Sequence, residues 1–250
     1  MALANRTVVG ATSFAGARHI RDDTAKGLNM VIFGPPGCGK TTLAASIKEA
    51  QPDGQILLFD TDLGRESVED LDVEYLLPTS WDELRSYLDL AISLREDSPY
   101  KTYIFDSLSS IYYEHLVPKV AGGELKRFEL QHYLEAQRIL AKFVRDAKSL
   151  REYGINTIFT AHQKEITDDG TINVRLALPE GIRNEILLCV NHVGYLGRGK
   201  DNKTRELWFE PPTKRHEGPK IRQTRSKGTV PSVMPDPTMK KFLEALKKEK

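Results

Sequence analysis

The stretch Gly34-Pro35-Pro36-Gly37-Cys38-Gly39-Lys40-Thr41-Thr42 constrains this chain more than any other. It follows a short apolar run, LNMVIF at 28–33, and leads into TLAASIKEA, where Leu43, Ile47 and Ala50 fall at helical spacing. Gly34 to Thr41 fit G-x-x-x-x-G-K-[ST] between a strand and a helix, the setting of a phosphate-binding loop. Each residue type has a physical task there. Glycines reach backbone conformations closed to residues with a Cβ and let the main chain come close to phosphate. Successive N–H groups then form an anion nest, to which the helix start adds its positive end. Lys40 brings a point charge to the β- and γ-phosphates, and Thr41 a hydroxyl for Mg²⁺. Thr42 is expected near the α-phosphate. The candidate nucleotide-binding residues are therefore Gly34, Pro35, Pro36, Gly37, Cys38, Gly39, Lys40, Thr41 and Thr42, with Cys38 read as packing.

A bound Mg²⁺ also needs an acid. TYIFDS at 102–107 is a buried-strand candidate ending in Asp106, and an acid at the C-terminal end of such a strand lies on the ligand-binding edge of a parallel sheet. Thr41 and Asp106 are the candidate metal residues. The alternative for Asp106 is a cap on the next helix.

The rest of the pattern gives the fold class. QILLFD at 55–60, Val73–Leu77 and INTIFTAH at 155–162 are further strand candidates. Ser80 with Glu83 reads as a capping box before a helix with Leu84, Leu88, Ala91 and Ile92 on one face, broken at Ser98-Pro99. A long helix is expected over 124–153, with Leu130, Leu134, Leu140, Val144 and Ala147 apolar and Gly154 as its C-cap. Short strands are expected near 172–178, 188–196 and 205–210. Strands alternating with helices predict an α/β fold: a mostly parallel sheet flanked by helices, with antiparallel strands toward the C-terminus. The expected organisation is an N-terminal segment 1–27 of unassigned role, a core over 28–232, and a C-terminal basic helix or tail over 233–250.

Composition bounds the partners. At 250 residues, 40% hydrophobic and 28% charged, the chain has the make-up of a globular domain rather than a disordered one. No run approaches the ~18 apolar residues of a membrane span, and no secretory signal is read at the N-terminus. Two cysteines, Cys38 and Cys189, make no disulfide framework. The reading is a cytoplasmic protein without a membrane partner. The net charge of +1 conceals a split. Residues 198–250 carry 15 Lys and Arg against 7 Asp and Glu, while 1–197 carry 21 against 28. The C-terminal fifth is thus +8, a local surface for anions or simply a solvated one.

The ordered set GPPGCGKTT, FDTDLG, SWDEL, YIFDSLSS, FTAHQKE, VNHVGYL and RQTRSKGTVP resembles the phage-encoded P-loop ATPases of the RecA-like class, a group that includes the Sak-type single-strand-annealing ATPases. The resemblance covers most of 28–232. It implies a RecA-like core, ATP with Mg²⁺, oligomers, and work on single-stranded DNA beside a single-strand-binding protein. For a phage protein the location would be the host cytoplasm. It assigns Asp62, where such ATPases usually carry a glutamate, as the general base or water positioner. Aspartate reaches ~1.5 Å less far (one C–C bond), and Asp60 is the reserve. Ser107 occupies the place after Asp106 where many AAA+ ATPases carry their water-orienting acid. His162 and Gln163 stand where the class senses the γ-phosphate, with no choice between them. Arg222, Arg225 and Lys227 lie where a neighbouring subunit would supply a finger, Arg225 being the named candidate. The loop over 164–183 would be the DNA-binding loop, although Glu165, Asp168, Asp169 and Glu180 offset Lys164, Arg175 and Arg183. Arg198, Lys200, Lys203, Lys214, Arg215 and Lys220 are the other candidates for DNA phosphate. Three alternatives stay open: a replication-associated loader acting through a protein partner, a slow nucleotide switch, and a small-molecule kinase with an Arg-rich lid drawn from 198–227.

Overall fold

Alternation along the apolar strands sorts their side chains onto two faces. In β1 (Asn29–Gly34), Met30 and Ile32 enter one core while Val31 and Phe33 enter the other. β2 (Gln55–Asp60) splits in the same way, Ile56 and Leu58 against Leu57 and Phe59. Beyond β3 (Glu74–Leu76), β4 (Tyr100–Asp106) divides Ile104 from Tyr103 and Phe105, and β5 (Asn156–Asp168) divides Ile158 from Phe159 and Ala161. Strands apolar on both sides must be covered on both sides. This computed structural model, which describes residues 26–123, 127–168, 171–199, 203–209 and 230–247, shows that arrangement.

Helices α1 (Lys40–Ala45) and α2 (Ile47–Ala50) cover the first face. The second is covered by α3 (Trp81–Leu94), by α4 (Leu108–Ser110) and α5 (Val117–Ala121) joined through a π-helical turn at Ile111–Leu116, and by α6 (Leu130–Ser149) and α7 (Glu180–Cys189). α8 (Met239–Lys247) returns to the first face, where Phe242 stacks on Phe209 and the Met239 N–H donates to Ser46 Oγ at 2.9 Å.

The remaining strands are β6 (Thr171–Leu176), β7 (His192–Arg198), β8 (Arg205–Trp208) and β9 (Val233–Pro235). The order in space is β3-β2-β4-β5-β1-β7-β8-β9, with β6 paired to β5. From β3 to β7 every pairing is parallel; β8, β9 and β6 are antiparallel. The expected fold class is the one found: a mostly parallel sheet between helices, with antiparallel strands at its C-terminal end.

Several local expectations need correction. The segment 164–183 is not a loop. β5 runs on to Asp168, turns back as β6 and then enters α7. Leu188 and Cys189 belong to α7 rather than to a strand, since a short apolar run reads equally well as helix or strand. Residues 108–121 are helical without having been expected so. In α6 the buried residues are Ala136, Leu140, Ala141, Phe143, Val144 and Ala147, with Tyr133 packed against the same core; Leu130 and Leu134 lie off that stripe and are exposed. Residues 124–126 of the expected long helix lie outside the described residues. The Ser80 cap is present, with Ser80 Oγ accepting from the Glu83 N–H at 3.2 Å, but the Glu83 carboxylate reaches back to the Thr79 N–H instead of to Ser80.

Candidate active site

Parallel pairing brings the C-terminal ends of β1, β2, β4, β5 and β7 to one edge of the sheet. The phosphate loop leaves β1 there. Gly37 and Gly39 adopt positive φ, 68° and 91°, a region that favours glycine, and α1 starts at Lys40. The Lys40 ammonium folds back onto the loop, donating to the carbonyls of Pro35 at 2.9 Å and Gly34 at 3.3 Å. Gly34 is also fixed by its neighbour strand, since a Cβ there would lie 2.1 Å from the Leu196 carbonyl oxygen of β7. Cys38 is buried, burial pushes its thiol pKa up, and its sulfur lies against Gly34. Cys38 also lines the cleft. Thr42 Oγ1 donates to the Ser67 carbonyl at 3.3 Å.

Asp106, at the end of β4, is 3% exposed. The Thr41 hydroxyl donates to its Oδ2 and the Thr160 hydroxyl to its Oδ1. Burial raises its pKa; those two hydroxyls work against the rise, and the Asp62 and Asp60 charges add to it. The residues expected to share Mg²⁺ are thus in direct contact. Among the described residues no three His, Cys, Asp or Glu side chains form a protein-only metal site. A hydroxyl beside one carboxylate suits Mg²⁺, which keeps waters and binds through one or two carboxylates and substrate phosphates. On that chemistry the donor set fits.

The end of β2 is tied to the end of β4. Thr61 donates through its N–H and its Oγ1 to the Asp106 carbonyl, at 2.6 and 2.9 Å. The two acids beside Thr61 separate by position. Asp60 accepts the N–H groups of Gly64 and Arg65 at 3.0 and 3.2 Å and so closes its own loop. Asp62 lines the cleft with Lys40, Thr41, Asp106 and His162. Its Oδ2 lies 2.8 Å from His162 Nε2. Burial pushes the Asp62 carboxyl up, but the bond and charge of His162, the Ser107 hydroxyl and Lys40 outweigh it and leave the pKa below the ordinary carboxylate value.

His162 and Gln163 part company, as consecutive strand residues must. His162 faces the cleft, and its Nδ1 is buried with no hydrogen-bond partner among the described residues. Gln163 accepts from the Tyr195 hydroxyl at 3.0 Å and donates to Glu165 at 3.0 Å; it does not line the cleft. Arg198, Lys203 and Arg205 line the same cleft as the acids. Arg222, Arg225 and Lys227, with Lys200, Lys214, Arg215 and Lys220, lie outside the described residues, as does Asp169.

The family profile for the AAA domain matches residues 26–218, from before β1 to beyond β8. The chain belongs to the AAA domain family. No curated protein sequence matches this AAA domain significantly. Among solved structures it is similar to the flagellar accessory protein FlaH from Methanocaldococcus jannaschii, at 13% identity over 84% of this chain and 85% of that one, with a TM-score of 0.45. It is also similar to the RadB recombinase, at 14% identity over 80% of this chain and 90% of that one, with a TM-score of 0.43. No helix in the described residues is long and apolar enough to cross a membrane.

Sequence reading of this AAA domain missed three site features. Thr160 is two residues before His162 on one strand, so both must share a face; that signal was present in TAH. The contact between Asp62 and His162 joins residues 100 apart in sequence and left no local trace. The placement of Arg198, Lys203 and Arg205 depended on knowing that β7 lies beside β1.

Proposed function

We propose that this AAA domain is a Mg²⁺-dependent ATP hydrolase. The observation that carries the reading is the convergence, at one sheet edge, of the Lys40 loop with the buried Thr41–Asp106 pair and the Asp62–His162 pair. Gly37, Gly39 and the backbone N–H groups between them cradle phosphate. Lys40, now turned to two loop carbonyls, exchanges these for phosphate oxygens. Thr41 and Asp106 would hold Mg²⁺, which supplies charge neutralisation to the phosphates. Asp62, kept ionised by His162, Ser107 and Lys40, orients and polarises the attacking water. His162 reports the γ-phosphate through the same contact.

The narrower reading is a RecA-like ATPase acting in DNA recombination or single-strand annealing, as an oligomer on single-stranded DNA beside a single-strand-binding protein. Its support is the +8 balance of residues 198–250 and the resemblance to annealing-type phage ATPases. Steady-state ATP hydrolysis, with and without single-stranded DNA at two salt concentrations, tests both levels. Stimulation that fades with salt supports the DNA reading. Hydrolysis without stimulation moves the work to a protein partner, and absence of nucleotide binding ends the ATPase reading.

A further inference from the structure

The pairing of β7 with β8 sets two arginines side by side above the phosphate loop. Arg198 and Arg205 are direct cross-strand partners, and so are Leu196 and Leu207 two residues further in. Partners in an antiparallel ladder share a face. Leu196 and Leu207 are buried in the core beneath α1, with Leu43 and Cys38. Arg198 and Arg205 therefore continue that face past the edge of the core, to the side on which the phosphate loop turns into α1. The hairpin is closed beyond them by the Gly199 N–H donating to the Thr204 carbonyl at 2.8 Å. At its base, β7 is locked to β1 with Phe33 opposite Tyr195. The arginines thus reach the cleft on a strand that is part of the sheet.

Arg205 comes closest. Its Nη1 lies 2.5 Å from where a Cβ on Gly39 would stand. The φ of 91° is what favours glycine at 39, and the short distance shows how near the guanidinium lies to the loop. Both arginines are exposed and line the cleft together with Lys203 and Lys40. Like charges placed directly across a ladder repel one another. An anion held by the loop would meet both guanidinium groups, and the planar guanidinium fork suits phosphate oxygens in pairs.

We infer that the β7–β8 hairpin is a cationic lid acting in cis, with Arg205 and Arg198 binding the terminal phosphates held by the Lys40 loop of the same chain. This rests on the nucleotide-site reading above. It gives the phosphate charge a partner within the chain, where a finger such as Arg225 would come from a neighbour. Lys203, on the turn, adds charge at the rim.

The test combines binding with subunit mixing. ATP and ADP affinities are measured for the wild type and for Arg205→Ala, Arg198→Ala and Arg205→Lys by titration calorimetry with Mg²⁺. Arg205→Ala is expected to lose about ten- to hundredfold in ATP affinity and less in ADP affinity, the loss typical of a charged hydrogen bond. Arg205→Lys, which keeps charge without the fork, should fall between. The melting temperature of nucleotide-free Arg205→Ala should match that of the wild type, because the exposed Arg205 side chain is not part of the core. A clear fall would assign Arg205 a structural role and overturn the inference. Arg205→Ala, with an intact loop, is then mixed with Lys40→Ala, with an intact hairpin, and ATP turnover is followed. A lid acting in cis gives no recovery, whereas recovery means the arginine serves a neighbour's site and overturns the inference. Wild-type ATP affinity in Arg205→Ala overturns it as well, leaving the nucleotide site standing. A wild type that binds neither ATP nor ADP overturns both readings.

Discussion

His162 Nε2 lies 2.8 Å from Asp62 Oδ2, and this contact joins β5, at the point where its parallel pairing with β1 stops, to the loop leaving β2. The other ring nitrogen, Nδ1, is buried and has no hydrogen-bond partner among the described residues. The residue expected to position water and a residue expected to sense the γ-phosphate are thus one unit.

Asp62→Asn is expected to keep ATP affinity and slow turnover by on the order of 10²-fold, the usual scale of a general base. His162→Ala should slow it too. Because the pair acts as a unit, the double variant should be about as slow as the worse single one rather than showing the product of the two effects. Steady-state kinetics on the four proteins decides this, and multiplicative losses would show that the two side chains work separately.

Lys40 and Asp106 should fail in different ways. Lys40→Ala removes a charged donor to phosphate and should weaken ATP binding by on the order of 10²-fold with or without Mg²⁺. Asp106→Asn leaves the loop intact and should bind metal-free ATP as the wild type does, while losing the gain in affinity that Mg²⁺ brings. Nucleotide titrations with Mg²⁺ and with a chelator separate the two. Equal losses in both conditions for Asp106→Asn would remove it from the metal site.

The fold and half of this site were legible in the sequence for identifiable reasons. The phosphate loop is contiguous, so a strand, nine residues and a helix carry the whole signal. Asp106 was legible because a buried strand that ends in an acid has few uses for it. The resemblance ranked Asp62 ahead of Asp60 without a physical reason; that reason is the N–H groups of Gly64 and Arg65, which commit Asp60 to its own loop. Strand alternation separates His162 from Gln163, but it does not say which face meets the cleft. The antiparallel extension of β5 was hidden because QKEITDDGTINV is polar enough to read as loop. Its pairing partner β6 is what makes it a strand.

Gly34 tests whether the loop is anchored by β7. A methyl group there would meet the Leu196 carbonyl at 2.1 Å, and backbone cannot move aside as a side chain can. Gly34→Ala should destabilise the protein by about 1–3 kcal/mol, the usual cost of overpacking. Gly37→Ala meets nothing within 4 Å and pays only for its φ of 68°, about 1–2 kcal/mol. Denaturant unfolding of both should rank Gly34→Ala as the less stable. The reverse order would mean that β1 and β7 separate easily.

A histidine far from the cleft makes the stability of the fold sensitive to acid. His192, at the start of β7, is 8% exposed and packs edge-on against Phe242. Burial, aided by the Arg151 charge, pushes its pKa down from 6.5 to about 4. The folded protein therefore holds it neutral where the unfolded chain would protonate it. Stability is complete above pH 6.5, falls as the pH drops toward 4, and loses nothing further from this group below that. The full loss is about 3 kcal/mol. Asp62 acts in a different window: its lowered pKa gives stability that is present above its ordinary value of 3.8 and lost only as the pH falls below that. His192→Met, similar in bulk and without a titrating group, should flatten the stability profile between pH 6.5 and 4. Urea unfolding at stepwise pH measures this, and a variant profile parallel to that of the wild type would show that His192 is already charged in the folded protein.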